Sequence, residues 1–362
     1  MPRPPIARAA FVLAACLAAA SPACAIEPWK LLAQTRKQTP QPPWPAGDER
    51  GMANQIGAAT FARCAWHLGQ PKAKSYELSQ LRSNSMPLSP FGGPYALRAK
   101  PSAGIPGSRH GFNSEAFIEG AEPAAQATQF DALGHFAFLG EPWDGKPPYP
   151  AERLRYYGGF AQDEVKPAPD SPLLRLGVEK APPIVTSAVL LDAQAAAGRP
   201  LRAGELVSAK DILAMLKAQG LHGRGIQPGD VVYLRTGWGE QWRDPDTEKR
   251  YYANAPGLAY DAAQLLGERR VVAVGLDTPF IDPVPEGMLE GKAGPAAGTP
   301  PGLPFAVHHH LLTQMGIHHI ENAKLDELAR DKVWTSCTII LPLRDKGAAG
   351  SPVRPVAIGV PG

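Results

Sequence analysis

Two stretches of the chain gather residue types that bind metals and move protons. In Thr128-Gln129-Phe130-Asp131-Ala132-Leu133-Gly134-His135, a carboxylate and an imidazole stand four apart, with small or apolar residues between them. At that spacing Asp131 and His135 can converge on one metal or one water if the segment is helical or tightly turned. The same pair also suits an ordinary surface. The second stretch, His308 to Asn322, holds five of the nine histidines and ends in Glu321-Asn322. Histidine and carboxylate are the natural ligands of zinc, manganese or iron. The apolar setting of Val307, Leu311, Leu312 and Ile320 argues against a wholly exposed histidine face, and His318 and His319 read as structural. A third cluster, Gly237-Trp238 with Asp277-Thr278, follows two strand patterns, where site residues and strand-ending caps are equally at home.

The elements that must position these residues can be read from periodicity. Helices are expected from Ala58 to about Leu68, over Ala209 to Gln219, over Tyr260 to Arg269 and over His308 to Met315, each with glycine or a charged residue at its end. Strands are expected from Tyr76 to Leu81, Ile184 to Leu191, Val231 to Arg235, Val271 to Leu276, Thr338 to Leu343 and Val353 to Ile358. Residues 87 to 110, rich in proline, glycine and serine, read as loop. Strands alternating with helices predict an α/β core. No linker divides residues 26 to 362, so one domain is expected, with an extended proline-rich arm over about residues 26 to 47.

The first 25 residues read as a secretory signal peptide. Arg3 and Arg8 precede an apolar run from Ala9 to Ala20, and Ser21-Pro22-Ala23-Cys24-Ala25 is a cleavage pattern that leaves Ile26 first. A membrane anchor and lipoprotein processing at Cys16 fit the pattern less well. A periplasmic or secreted protein is therefore expected, with no membrane span. Loss of Arg3 and Arg8 lowers the formal charge from +3 to +1, which leaves no electrostatic basis for a nucleic acid partner. Of four cysteines, Cys64 and Cys337 remain. They can pair in an oxidising compartment, but two separate buried thiols are the expectation. There is no Gly-x-Ser-x-Gly elbow and no phosphate-cradling loop, which disfavours serine hydrolases and nucleotide enzymes.

These landmarks, in order, resemble the metal-dependent cyclase family, which includes bacterial kynurenine formamidase and isatin hydrolase. Asp48-Glu-Arg-Gly-Met-Ala-Asn54 resembles the opening motif of its longer members. Thr128 to His135 resembles the signature HxGTHxDxxxH. Pro183 to Asp192, Gly229 to Trp238, Pro256-Gly257-Leu258 and Val274 to Thr278 resemble the segments that follow. His308-x-x-Leu-Leu, Gly316-Ile and Glu321-Asn322 resemble the closing motif. The likeness runs from about residue 45 to 345.

The resemblance implies a swivelling β/β/α fold, with a central barrel-like mixed sheet and flanking helices. It implies assembly as a homo-oligomer, dimer or tetramer, acting on a small-molecule substrate. Asp131 matches the family's metal-binding aspartate, His135 its catalytic histidine and Glu321 its late glutamate. The late histidine is His308 when counted from Leu311-Leu312 and His309 when counted back from Glu321, and His308 is preferred. The signature's first two histidines fall on Ala125 and Gln129. A single divalent metal, manganese or zinc, is therefore expected, held by Asp131, the late histidine, Glu321 and the Gln129 carbonyl oxygen. Such a site implies hydrolysis of an amide, formamide or cyclic amide, with Trp238 and Phe130 as walls for the substrate. A cyclase or lactone-acting enzyme and a non-catalytic periplasmic binding protein are the alternatives.

Overall fold

Ile184-Val-Thr-Ser-Ala-Val-Leu-Leu-Asp192 is apolar at nearly every position because both of its faces are covered. Val189 and Leu191 point into one core cluster, whereas Ala188 and Leu190 point into another. Val231-Val-Tyr-Leu-Arg235 divides in the same way, Val232 and Leu234 to one side, Val231 and Tyr233 to the other. This is the signature of parallel strands buried between layers.

The computed structural model describes residues 43–119 and 127–362. The signal sequence, most of the arm and Ala125 lie outside the described residues. A nine-stranded mixed sheet that curls into a half-barrel forms the centre. Its strands, in chain order, are β1 (Lys74–Glu77), β2 (Gln129–Asp131), β3 (Ile184–Asp192), β4 (Val231–Arg235), β5 (Ala273–Leu276), β6 (His318–Glu321), β7 (Thr335–Ile340), β8 (Gly350–Pro352) and β9 (Val356–Gly359). The spatial order is β1-β9-β7-β3-β4-β5-β6-β2-β8. Strands β3, β4, β5 and β6 run parallel, and the strands to either side pair antiparallel. The expected mixed α/β fold with flanking helices is therefore present.

Helix α1 (Ala58–Leu68) buries Thr60, Cys64 and His67, one stripe at helical spacing, against the sheet. Helix α2 (Ala209–Ala218) starts in a capping box: Asp211 N donates to Ser208 Oγ at 3.2 Å, and Ser208 N donates to Asp211 Oδ2 at 2.9 Å. It buries Ile212, Met215 and Leu216 beside Ala262, Ala263 and Leu266 of α3 (Tyr260–Glu268). Among the described residues, no helix is long and apolar enough to cross a membrane.

Three expectations need correction. Residues 95–119 hold strand pairs, Tyr95–Ala99 with Glu115–Glu119 and Ala103–Gly104 with Gly111–Phe112. Pairing across the turn, rather than local pattern, makes them strands. The Asp131–His135 segment, by contrast, meets its condition for convergence: an extended stretch leads into a tight 3-10 turn at Leu133–His135. Residues 306–315 begin as α-helix and widen into a π-helix over His309–Met315, a form found often at functional sites. Gly316, at φ +66°, ends it, and a Cβ there would strike the Tyr157 ring and Gly51. Finally, Cys64 of α1 and Cys337 of β7 are not separate thiols. They form a disulfide, Cα atoms 4.3 Å apart, that pins α1 to the sheet.

Two buried histidines on separate elements make a pH prediction. Burial holds His67 on α1 and His318 on β6 down to about 4, below the ordinary value near 6.5. A histidine with a depressed folded-state value stabilises the fold fully above 6.5, and that contribution is lost as the pH falls toward 4. At pH 5 each should cost about 2 kcal/mol. Urea unfolding at pH 7.5 and pH 5 should show lower stability at pH 5, and a flat profile would contradict this reading.

Candidate metal centre

Strands β2 and β6 lie side by side, with His319 opposite Asp131 and Glu321 opposite Gln129. Side chains alternate along a strand. Gln129, Asp131, His319 and Glu321 therefore share one face, and Phe130 and Ile320 share the other. The second face is apolar core. The first is a polar patch in a buried setting, with Asp131 0% and His319 0% exposed.

His308 enters this patch from the helix above. Asp282 accepts from the backbone N–H of Val307 at 2.8 Å and of His308 at 2.9 Å, so it anchors the start of that helix. Its Oδ2 also lies 2.6 Å from His308 Nδ1. The ring is held with Nε2 facing the patch, 3.3 Å from Glu321 Oε1 and 4.0 Å from Asp131 Oδ2. A carboxylate behind a histidine is the usual orienting partner of a metal-bound imidazole. His135, half-buried on its 3-10 turn, completes the group, since donor atoms of Asp131, His135 and His308 lie within 4.8 Å of one another.

The electrostatics are those of a site short of positive charge. Burial, and then the charge of Asp131, push the Glu321 carboxyl above its ordinary value. Burial works against a proton on His308, but hydrogen bonds to Asp282 and Glu321 outweigh it and raise that ring's affinity for a proton. Burial, and then the facing His308, push His319 well down. Asp131 Oδ2 is buried with no donor, and neither ring nitrogen of His319 has a partner among the described residues. A cation placed among Asp131, His135 and His308, with Glu321 beside them, would satisfy the orphaned oxygen, so these residues fit a divalent metal.

The residues expected from sequence divide clearly. Asp131, His135, His308 and Glu321 are brought together from three separate parts of the chain. His309 is not among them: its ring packs on Phe138, centroids 4.5 Å apart, and Asp282 orients His308 instead. Gln129 is in the patch but not in the expected role. Its Nε2 donates to Asp131 Oδ1 and to Glu321 Oε2, both at 3.1 Å, so the amide joins the two carboxylates as a donor and does not offer its oxygen. Phe130 cannot wall the patch, because it lies on the opposite face of β2 and is wholly buried. Trp238 is also withdrawn: its indole N–H donates to the Tyr251 carbonyl at 3.1 Å within an aromatic cluster. Asp277 is a strand-end cap, accepting from Thr236 N, Thr236 Oγ1 and Gly237 N.

Two residues were missed. His319 was read as structural, yet its Nδ1 is 4.0 Å from Asp131 Oδ2. The His-x-Glu spacing in a strand, which puts both side chains on one face, was the available signal. Asp282 had no such signal, being 26 residues from His308. Asp282→Asn should weaken metal binding about 10–100-fold with the fold kept. Competition against a fluorescent chelator would show this, and unchanged affinity would remove Asp282 from the role.

Asp48 of the opening motif accepts from Gly51 N at 2.8 Å, Asn54 Nδ2 at 2.7 Å and Tyr157 OH at 2.9 Å. Met52 N then donates to Gly316 O at 2.7 Å. The motif thus clasps the end of the helix that carries His308.

Residues 63–283 match a family described as putative cyclase, a stretch that holds Asp131, His135 and Asp282. Kynurenine formamidase of Bacillus cereus (strain ATCC 10987 / NRS 248) is 35% identical over 101 residues, 28% of this chain and 39% of the relative. The Bacillus thuringiensis (strain Al Hakam) kynurenine formamidase is 34% identical over the same shares. The match thus spans about two-fifths of the length of these relatives. Among solved structures, a novel cyclase superposes with a TM-score of 0.71 at 23% identity, covering 89% of this chain and 98% of that one. Isatin hydrolase A from Ralstonia solanacearum gives 0.52 at 21% identity, covering 84% and 100%. These structural likenesses share the fold. The family match covers well over half of the sequence and contains the clustered aspartate and histidine, and the chain belongs to the putative cyclase family.

Proposed function

We propose that this protein is a hydrolase that opens a carbon–nitrogen bond of a small amide, formamide or cyclic amide, with one divalent metal, manganese or zinc, held by Asp131, His308 and Glu321. The observation that carries the reading is the convergence of Asp131, His135 and His308, whose ligand atoms lie within 4.8 Å of one another, with Glu321 Oε1 3.3 Å from His308 Nε2 and no donor to Asp131 Oδ2 among the described residues. Kynurenine formamidase and isatin hydrolase among the relatives support the reaction class. A divalent ion, when bound there, would lower the pKa of water toward ~7 and polarise a carbonyl.

The chain's own residues supply the rest. Asp282 fixes the His308 ring. Gln129 ties the Asp131 and Glu321 carboxylates to each other and holds their spacing. His135 lies within reach of the same space, less buried than its neighbours, and in this reading takes a proton from water and returns it to the leaving nitrogen. Phe136 and Phe305 flank His308, ring centroids 5.3 and 6.0 Å away, and keep bulk water out.

The disulfide between Cys64 and Cys337 supports an exported protein, because such bonds persist in oxidising compartments. The test of function is a screen of metal-replete protein against formanilide, simple lactams and lactones, read by mass. Hydrolysis opens a lactam or lactone to a product one water heavier and splits formanilide into aniline and formate. Loss of water, or no turnover of any amide, would overturn the proposal.

A further inference from the structure

Strand β2 is three residues long, and its three pairs with β6 decide which side chains meet at the centre. A slip of that pairing by one residue would turn Gln129 and Asp131 into the apolar core and bring Phe130 to the centre. Just past the last pair, Glu321 with Gln129, two crossed hydrogen bonds tie the strands together. Asn322 Nδ2 donates to the Ala127 carbonyl at 2.8 Å, and Thr128 Oγ1 donates to the Asn322 carbonyl at 2.7 Å. Asn322 and Ala127 both have left-handed backbones, at φ +58° and φ +80°. Alanine rarely adopts that conformation, and such residues persist only where the surrounding contacts hold them. The Asn322 N–H donates to Thr278 O at 2.9 Å, and Thr128 Oγ1 accepts from Gln80 N at 2.9 Å. Both side chains of the tie are buried. Asn322 thus joins the start of β2, which carries Asp131, to the end of β6, which carries Glu321, and to the turn after β5 that leads to Asp282.

We propose that Asn322 is a positioning residue of this centre: with Thr128 it clamps β2 to β6 in the register that sets the Asp131 and Glu321 carboxylates on one face. Two carboxylates held side by side without a cation repel each other, so the short pairing works against that repulsion. The clamp opposes it from outside the centre, since neither of its hydrogen bonds uses a carboxylate or ring of the centre itself. A chain without the clamp would have to order the pair as the cation binds, and that ordering is lost from affinity. The inference rests on the reading of the centre as a metal site.

The test measures zinc and manganese affinity by competition with a fluorescent chelator, and the visible absorption of the cobalt(II)-loaded protein, on full-length variants. Asn322→Gly keeps the left-handed backbone, which glycine adopts freely, and removes only the amide. It should bind the ions about 10-fold more weakly and give cobalt bands shifted from those of wild type. Thr128→Val removes the second bond at similar volume and should do likewise, whereas Thr128→Ser should restore wild-type affinity and spectrum. A merely structural clamp would lower the thermal midpoint and leave affinity and spectrum unchanged. Folded variants that behave in that way, in a protein whose wild type binds the ions, overturn this inference and keep the metal reading. If Asn322→Gly does not fold, the Thr128 pair decides by the same readings. A wild type that binds none of the three ions overturns the metal reading and this inference with it.

Discussion

His135→Ala is expected to keep its fold and its metal and to lose about 10²–10⁴-fold of turnover, the usual contribution of a positioned acid–base group. The expectation rests on how His135 differs from its neighbours. Asp131 and His319 are wholly buried and His308 nearly so, whereas His135 is half-buried and reaches the cluster from a short turn that carries no sheet pairing. His308 is committed through Nδ1 to Asp282 and through Nε2 toward Glu321, so it is a poor shuttle. A metal-loaded His135→Ala protein with unchanged kcat would remove His135 from proton transfer. Loss of metal with loss of turnover would instead make it a ligand.

Asp131→Asn should abolish metal binding, and with it turnover, without weakening the metal-free fold. The two halves have one cause. Asp131 and Glu321 are carboxylates on one face of paired strands, joined by the Gln129 amide. Burying like charges is costly, and removing one of them is often neutral or stabilising once the cation is absent. Elemental analysis should fall from near one divalent ion per chain to near none. The thermal midpoint of the metal-free variant should equal or exceed that of metal-free wild type. Full metal content in Asp131→Asn would exclude the aspartate as a ligand. A markedly lower midpoint would mean that Asp131 has a structural partner.

How much of this could be read from the residues depended on whether the signal was local. The run at residues 184–192 and the capped helix after Ser208 are visible because burial on both faces, or on one stripe, imposes a pattern on neighbouring residues. Strands β2 and β6 are not visible in this way. Gln129-Phe-Asp131 and His318-His-Ile-Glu321 are too short and too polar to show alternation, since one of their faces is the site itself. That obscurity explains the misplacement of Phe130, whose side follows from the strand and not from its nearness to Asp131. It also hid His319. The choice between His308 and His309 lay beyond motif counting, because Asp282 settles it from another segment. The Cys64–Cys337 bond joins residues 273 apart and leaves no trace in the local sequence.

The most direct measurement is anomalous diffraction from crystals of the full chain grown with manganese or zinc. The account predicts one peak per chain, about 2.0–2.2 Å from ligand atoms of Asp131, His308 and Glu321. A well-ordered crystal with no peak at that position, or with the metal bound elsewhere, would contradict it.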